Sequence, residues 1–403
     1  MKIAIVTTWF ERGAAYVSKQ FHHTLSKENE VFIYARGGEE YAYGDSEWDK
    51  EYVTWGKRID FPIPTYIDIK DFKAFLSKNK IDLVIFNEQW WWEPIIVCNQ
   101  LNIKTAAYID YYTELTIPFF SNYDFLICNT RKHYEAFKWH KQCFYVPWGT
   151  DTNLFKPKEY NLIHKGKVTF FHSCGMNPHR KGTDQLLLAL EKLEGNFSLI
   201  IHAQIDLMKE LSPRFQKVLE KLIANNKVEL LTKTIKAPGA YFMGDVYVYP
   251  TRLEGIGLTI CEASASGLPV IVPNNSPMNE FIKDNVNGSL VEIEKLYSRS
   301  DGYFWPQCEI NIESLSSKMQ YYIDNVDKIS TFKKKSREYS LKYLDWEQNS
   351  LELNKIVCSV KLLDKLPSAQ KNALNFYNKK YPSISKYKLL YQIVFYVYRK
   401  FFS

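Results

Sequence analysis

The chain contains 403 residues, of which 46% are hydrophobic and 24% are charged. This composition is typical of a globular protein, and the length predicts two or three domains. The net charge of +7 is too mild for a typical nucleic-acid-binding protein, but it is compatible with an anionic ligand or an anionic membrane surface. The seven cysteines show neither a CxxC motif nor zinc-like spacing with histidine, so we expect reduced thiols and a cytoplasmic protein.

Neither a signal peptide nor a transmembrane segment is recognisable in the sequence. The first ten residues, MKIAIVTTWF, contain one Lys, a very short apolar run and no cleavage site of small residues. No apolar run reaches the ~18–20 residues that a helix needs to span a bilayer. We therefore expect a protein without a membrane-spanning helix.

The first part of the chain alternates short apolar runs with helical segments. The strand-like runs are 2–8, 30–36, 81–87, 105–110, 124–129 and 143–147. Continuous apolar strands that alternate with helices predict a parallel sheet covered by helices on both faces. The sequence therefore predicts a Rossmann-like N-terminal domain over residues 1–150.

A second series of the same kind follows a polar stretch that we interpret as a linker over 151–166. The strand-like runs of this series are 168–173, 197–203, 227–231, 245–250 and 269–273. They predict a second Rossmann-like domain over 167–330, followed by helices at 331–357 that we expect to return to the N-terminal domain. Ligands of such sheets bind beyond the carboxyl ends of the strands, so two domains that face each other would form a cleft.

The last residues, 358–403, form a basic and aromatic tail. Within 383–403, apolar side chains share one side of a predicted helix and are flanked by Lys, Arg and Tyr. The run is too short to span a bilayer, but such a helix can lie in the plane of an anionic membrane surface. We favour that interpretation; the alternative is a terminal helix that packs on the protein itself.

The segment RLEGIGLTICEASASGLPV carries two acids, Glu254 and Glu262, eight residues apart. It follows a predicted strand, and its two glycines allow the backbone to approach a ligand closely. A helix is predicted to start near Leu258, and its unpaired N–H groups suit a phosphate. Glu262 would then accept hydrogen bonds from sugar hydroxyls, while Glu254 would contact the group beyond the phosphates. The alternative is a solvated helix face and an ordinary loop acid.

This segment is similar to the hallmark of the family 4 retaining glycosyltransferases of GT-B fold, an E-x7-E pattern within EGFGLxxxEAxAxGxPV. The resemblance extends over about residues 1–357, with weaker matches in TTWFERGAAY, VPWGTDTNLF, HRKGTDQLLLAL and KYLDWEQ. It implies two doubly wound Rossmann-like α/β domains that face a cleft, with C-terminal helices. It also implies transfer, with no metal or cofactor, of a sugar from a nucleoside-diphosphate sugar to a hydroxyl of a glycan or lipid-linked acceptor.

The resemblance assigns candidate roles to individual residues of the C-terminal half. Glu254 and Lys181 are candidate catalytic residues, and Lys181 with Arg180 would hold the donor phosphates as cations. A further upstream Arg of the family is absent, since Gly175 stands at its position. The remaining donor-binding candidates in this half are Gly255, Ile256, Gly257, Leu258, Thr259 and Glu262. We expect the nucleobase near residues 232–237 and Tyr241.

In the N-terminal half, Gly13 matches a small-residue loop that the family places near the diphosphate. Asp110 stands where many relatives carry a His, and it is a candidate catalytic residue as a base or a hydrogen-bond acceptor; alternatively it caps a turn. Arg12, Glu88 and Trp91 are candidates for the acceptor site. The alternatives are a surface role for Arg12 and packing of Trp91 against helices.

Two rival functions stay open at the level of the sequence. A GT-B-like epimerase would break and re-form a nucleotide sugar without an acceptor, and a non-catalytic subunit would only assist another transferase. We favour a retaining glycosyltransferase of bacterial surface polysaccharide synthesis, such as that of capsule or lipopolysaccharide. We expect it to be cytoplasmic and peripheral on the inner face of the cell membrane, and not to bind nucleic acid.

Overall fold

A computed structural model describes residues 1–59, 65–158 and 166–380. The chain divides into two compact units. The first contains residues 1–129, 133–146 and the chain from 350 onward, and the second contains residues 130–132 and 147–349. Much of the predicted linker and the whole predicted membrane-surface segment, 383–403, lie outside the described residues.

The first unit is built on a parallel seven-stranded sheet with the order β3-β2-β1-β4-β5-β6-β7. Its strands are β1 (Lys2–Thr7), β2 (Glu30–Ala35), β3 (Val53–Trp55), β4 (Leu83–Asn87), β5 (Lys104–Tyr108), β6 (Phe125–Cys128) and β7 (Cys143–Tyr145). Its first helices are α1 (Gly13–Leu25), α2 (Ile69–Asn79), α3 (Glu93–Gln100), a 3-10 helix (Ile117–Asn122) and α4 (Arg131–Phe137). All five residues of β4 are buried, as the continuous apolar run predicts for a sheet covered on both faces.

The second unit repeats the doubly wound arrangement with a parallel six-stranded sheet in the order β10-β9-β8-β11-β12-β13. Its strands are β8 (Val168–Gly175), β9 (Phe197–Ala203), β10 (Val228–Thr232), β11 (Val246–Val248), β12 (Val270–Pro273) and β13 (Gly288–Val291), and β14 (Ile293–Tyr297) pairs with β15 (Gln307–Ile310) in an antiparallel hairpin. The α-helices are α5 (Thr183–Leu190), α6 (Leu207–Glu210), α7 (Pro213–Ala224), α8 (Leu258–Ala265), α9 (Ile312–Asp324), α10 (Ile329–Tyr343) and α11 (Trp346–Asn349). Short 3-10 helices cover Tyr241–Met243, Met278–Phe281 and Val326–Lys328. The prediction of two Rossmann-like α/β domains is thereby confirmed.

The helices after residue 330 are shared between the two units. Helix α10 packs on α8 in the second unit, where Arg337 Nη1 donates to the carbonyl of Ala265 at 2.7 Å. Helix α12 (Leu353–Ser359) lies in the first unit, where Asn354 Nδ2 donates to the carbonyl of Thr24 at 3.1 Å. Only the second of these two helices therefore belongs to the unit that contains the N-terminal sheet.

Helix α13 (Pro367–Lys380) covers aromatic side chains of the first unit. The rings of Tyr377 and Trp91 stack with centroids 5.2 Å apart, and Phe376 contacts Phe119 at 5.4 Å. The first part of the tail therefore packs on its own unit. Within the described ranges, we find no helix with the length and apolarity required to cross a membrane.

Candidate active site

The topology of the second sheet brings two distant loops together. The strand order reverses between β8 and β11, and the crevice at such a switch point is where doubly wound sheets bind ligands. The loop after β8 carries Arg180 and Lys181, and the loop after β11 carries Glu254. The two loops are joined directly, because the backbone N–H of Arg252 donates to the carbonyl of Arg180 at 2.8 Å.

A glycine allows this close approach of the two loops. Gly182 caps the start of α5 with a left-handed φ of 72°, and a Cβ atom at this position would lie 2.0 Å from the carbonyl oxygen of Pro250. A residue with a side chain would therefore clash with the facing loop and also strain its own backbone. Helix α5 begins at Thr183, two residues after Lys181, so the lysine lies in the loop rather than on the helix.

Glu254 lies at the centre of a compact ionic cluster. Its Oε1 atom is 2.7 Å from Nζ of Lys181, and its Oε2 atom is 3.0 Å from Nη1 of Arg180. The side chain of Glu254 is only 8% exposed, against 14% for Lys181 and 36% for Arg180. Within these three side chains, two cations and one carboxylate leave one excess positive charge, which favours an anionic ligand.

Burial and charge oppose each other in this cluster. Burial alone would raise the pKa of Glu254, but the adjacent charges of Arg180 and Lys181 lower it to about 2. Burial lowers the pKa of Lys181 to about 8, although Glu254 partly offsets this effect. The carboxylate is therefore firmly ionised at neutral pH, whereas the ammonium group can lose its proton in mildly alkaline solution.

The start of α8 offers backbone donors beside this cluster. Gly257 is the N-cap residue with a left-handed φ of 91°, and as a glycine it supplies no side-chain cap to the first N–H groups of the helix. The donor-binding candidates Gly255, Ile256, Gly257, Leu258 and Thr259 form the turn and first residues of this helix. Such N–H groups and the helix dipole suit a phosphate.

Glu262 lies farther along α8 and is held by a tyrosine. The hydroxyl of Tyr241 donates to Oε2 of Glu262 at 2.6 Å. Burial raises the pKa of Glu262 to about 7, and the Tyr241 hydrogen bond and the charge of Lys181 oppose this rise. Lys181 thus acts electrostatically on both glutamates of the E-x7-E pattern, whereas Tyr241, which we expected near the nucleobase, contacts Glu262.

The candidates of the N-terminal half lie in the first unit. Gly13 is the first residue of α1, and Asp110 follows β5 in a half-buried position. Arg12 and Glu88 approach each other, with Nη2 and Oε2 3.7 Å apart. The ring of Trp91 stacks on that of Tyr377, and its place in an acceptor site stays a prediction.

Three residues of the site escaped the sequence analysis. The hydroxyls of Tyr249 and Thr251 both donate to Oε1 of Glu254, at 2.9 and 2.7 Å. Arg252 is buried and forms two-pronged ion pairs with Asp184 at 2.8 Å and with Glu309 at 3.0 Å. The alternation of Val and Tyr in DVYVYP could have indicated the role of the tyrosines, since it places them on one face of this extended segment and the valines on the other.

No metal-binding group accompanies this site in the part of the chain that the structure describes. There, no set of three or more His, Cys, Asp or Glu residues is arranged to hold a metal ion.

Comparison with known proteins identifies the second unit. Residues 157–338 match the model of the family described as glycosyl transferases group 1. The chain is 26% identical over 249 residues to the GtfA subunit of UDP-N-acetylglucosamine–peptide N-acetylglucosaminyltransferase of Streptococcus agalactiae, covering 54% of this chain and 47% of that protein. It is 27% identical over 170 residues to a GDP-mannose-dependent alpha-(1-6)-phosphatidylinositol monomannoside mannosyltransferase of Mycobacterium tuberculosis, covering 37% of this chain and 42% of that protein.

The chain therefore spans less than half the length of these two relatives. A solved structure, Anabaena Alr3699/HepE in complex with UDP and glucose, is similar over a larger part. It shares 15% identity, with a TM-score of 0.67, over 89% of this chain and 100% of that one. At this identity the likeness concerns the fold, which is that of a GT-B glycosyltransferase.

Proposed function

We propose that this chain is a metal-independent retaining glycosyltransferase, because residues 157–338 match the model of the family described as glycosyl transferases group 1. It moves a sugar from a nucleoside-diphosphate sugar to a hydroxyl of a glycan or lipid-linked acceptor. The observation that carries this proposal is the cluster of Arg180, Lys181 and Glu254 beside the start of α8. Cations and helix N–H groups stabilise a leaving diphosphate without a metal ion.

The proposed reaction takes place on one face of the donor sugar. The bond between the anomeric carbon and the diphosphate oxygen breaks, and the acceptor oxygen forms its bond on the same face. The acceptor proton passes to the leaving diphosphate, which Lys181 and Arg180 hold. Glu254 orients the donor sugar and supports the positive charge that develops on it. Glu262 accepts hydrogen bonds from hydroxyls on the nucleoside side.

The acceptor proposal is broader than the donor proposal. The mycobacterial relative is named for a phosphatidylinositol monomannoside, which is a glycolipid, and the streptococcal one is named for a peptide. We favour a glycan or lipid-linked acceptor of bacterial surface polysaccharide synthesis, used at the inner face of the cell membrane. In the first unit, Arg12, Glu88 and Trp91 are the candidates to contact it, and Asp110 is a candidate base or hydrogen-bond acceptor.

Calorimetry tests the donor site without knowledge of the acceptor. UDP and GDP are titrated into the wild type, Lys181→Met and Lys192→Met. Lys192 is a lysine of the same unit that pairs with Glu313 at 2.7 Å and is 47% exposed, so its variant is a matched control. We expect one of the two nucleotides to bind to the wild type and the control, and binding to Lys181→Met to be weaker by about 10- to 100-fold, as for loss of a charge-assisted hydrogen bond. Equal binding by all three proteins would refute the donor site.

A transfer assay then separates the rival functions. The radiolabelled donor that matches the bound nucleotide is incubated with a membrane extract, and the wild type is compared with Glu254→Ala. Label in a larger glycan or glycolipid supports a transferase, whereas a changed nucleotide sugar in the absence of any acceptor supports an epimerase. If nucleotide binds but neither product forms, the proposal of an enzyme fails.

A further inference from the structure

The hydroxyl of Tyr249 bridges the two candidate catalytic side chains. It accepts a hydrogen bond from Nζ of Lys181 and donates one to Oε1 of Glu254 at 2.9 Å. The lysine Nζ also lies 4.8 Å from the centre of the tyrosine ring. Tyr249 is only 1% exposed, so water does not substitute for these contacts. The Tyr249 phenol therefore belongs to the hydrogen-bond network of the ionic cluster.

A second tyrosine, two residues away, provides the contrast. The rings of Tyr247 and Tyr249 stack, with centroids 5.3 Å apart and an angle of 22° between their planes. Tyr247 is fully buried, and its hydroxyl makes no hydrogen bond of good geometry among the described residues, although the nearby Thr259 hydroxyl opposes the rise that burial causes in its pKa. Both rings lie on the same face of the chain, as residues two apart in an extended segment do. Of the two hydroxyls, that of Tyr249 is the one that contacts Lys181 and Glu254.

The hydrogen bonds to Glu254 fall into two classes. Arg180 and Lys181 donate as cations, while Tyr249 and Thr251 donate as neutral hydroxyls. A bound diphosphate would compete with Glu254 for the cations but not for the hydroxyls that already face its Oε1 atom. After that exchange, the neutral donors alone would keep the carboxylate ionised and oriented.

We propose that Tyr249 is a positioning residue that holds Glu254 and Lys181 in the arrangement required for sugar transfer. This inference rests on the proposed function. Burial keeps the pKa of the Tyr249 phenol well above its usual range, so the hydroxyl stays a neutral donor at every working pH. The Thr251 hydroxyl lies 2.7 Å from the same oxygen atom and 3.0 Å from the carbonyl oxygen of Arg180, and these two acceptors share its single proton.

The test compares Tyr249→Phe with Tyr247→Phe, which removes the same atom from the partner ring. For Tyr249→Phe we expect kcat to fall about 10- to 100-fold, as for a lost hydrogen bond to a charged group, with the Kd of the nucleoside diphosphate changed less than about threefold. For Tyr247→Phe we expect both constants to match the wild type. Unchanged kcat in Tyr249→Phe, or equal losses in both variants, would overturn the proposal, as would a loss explained by unfolding in a thermal scan.

A second measurement needs neither donor nor acceptor. The titratable groups that interact with Lys181 are Glu254, Arg180, Cys174, Glu262 and His172, together with the Tyr249 hydroxyl. Competitive acetylation, read by mass spectrometry across a pH series, reports the proton on Lys181. We expect a midpoint near pH 8 in the wild type and in Tyr247→Phe, and a lower midpoint in Tyr249→Phe, because the charged ammonium loses an acceptor.

Nucleotide binding and the acetylation series test the proposed function and the role of Tyr249 separately. Absence of nucleotide binding by the wild type would refute the proposed function, while the acetylation series still reports whether Tyr249 holds Lys181. An identical midpoint in all three proteins would refute the role of Tyr249, even if the wild type proves to be an active transferase.

Discussion

Replacement of Glu254 by Gln isolates the charge at the centre of the site. Gln keeps the shape and one acceptor oxygen for Tyr249 and Thr251, but it removes the negative charge that Lys181 and Arg180 contact. The pKa of Glu254 is about 2 in the folded chain, against an ordinary value of 4.5. At about 1.36 kcal/mol per pKa unit, the ionised carboxylate contributes about 3 kcal/mol to stability at pH 7. Removal of one partner from a buried ion pair typically costs about 3–5 kcal/mol.

The sign of the pH dependence is set by the lowered pKa. The stabilisation is complete above the unfolded pKa of 4.5 and is lost as the pH falls toward 2. The difference between wild type and Glu254→Gln should therefore decrease from about 3 kcal/mol at pH 7 to about 2 kcal/mol at pH 3.5. Urea unfolding, followed by circular dichroism at both pH values, measures this difference.

The control for this experiment is an ion pair of the same length on the surface. Lys192 and Glu313 are also 2.7 Å apart, but their side chains are 47% and 70% exposed. An exposed pair contributes at most about 1 kcal/mol, so Glu313→Gln should be nearly neutral. If Glu254→Gln were as harmless as Glu313→Gln, or if its cost rose as the pH fell, the electrostatic account of the cluster would be wrong.

Three further predictions concern the donor site, its support and the tail. Nucleotide affinity, measured by calorimetry across a pH series, should rise as Glu262 ionises near pH 7 and fall as Lys181 loses its proton near pH 8. In Glu262→Gln the rise of affinity near pH 7 should be absent. An affinity that does not change with pH in the wild type would contradict both roles. Arg252→Leu leaves Asp184 and Glu309 without their cation and should cost about 3–5 kcal/mol in urea unfolding, whereas a cost below about 1 kcal/mol would show that the pairs are not needed. Deletion of residues 383–403 should abolish flotation with vesicles rich in anionic lipid but not with neutral ones; unchanged flotation would leave the tail without a membrane role.

The sequence was sufficient for the architecture because buried parallel strands have a local signature. Continuous apolar runs such as VTFFHS and DVYVYP indicate strands, and their alternation with helices predicts doubly wound units without knowledge of any contact. The glycines of EGIGL likewise marked the turn before α8. The path of the chain after residue 330 was less predictable, since α10 and α12 are both indicated as helices by the sequence but belong to different units.

The sequence by itself determined which residue types flank the glycine turn before α8, and the tertiary structure decided which of them meet. Lys181 and Glu254 are 73 residues apart, and they pair because β8 and β11 become neighbours at the reversal of the strand order. Tyr247 and Tyr249 are the same residue type at positions two apart, so the sequence does not distinguish them. In the structure, the Tyr249 hydroxyl contacts the ionic cluster. The periodicity of the sequence predicts the face of a strand or helix on which a side chain lies. Which side chain it contacts depends on how distant segments pack against each other.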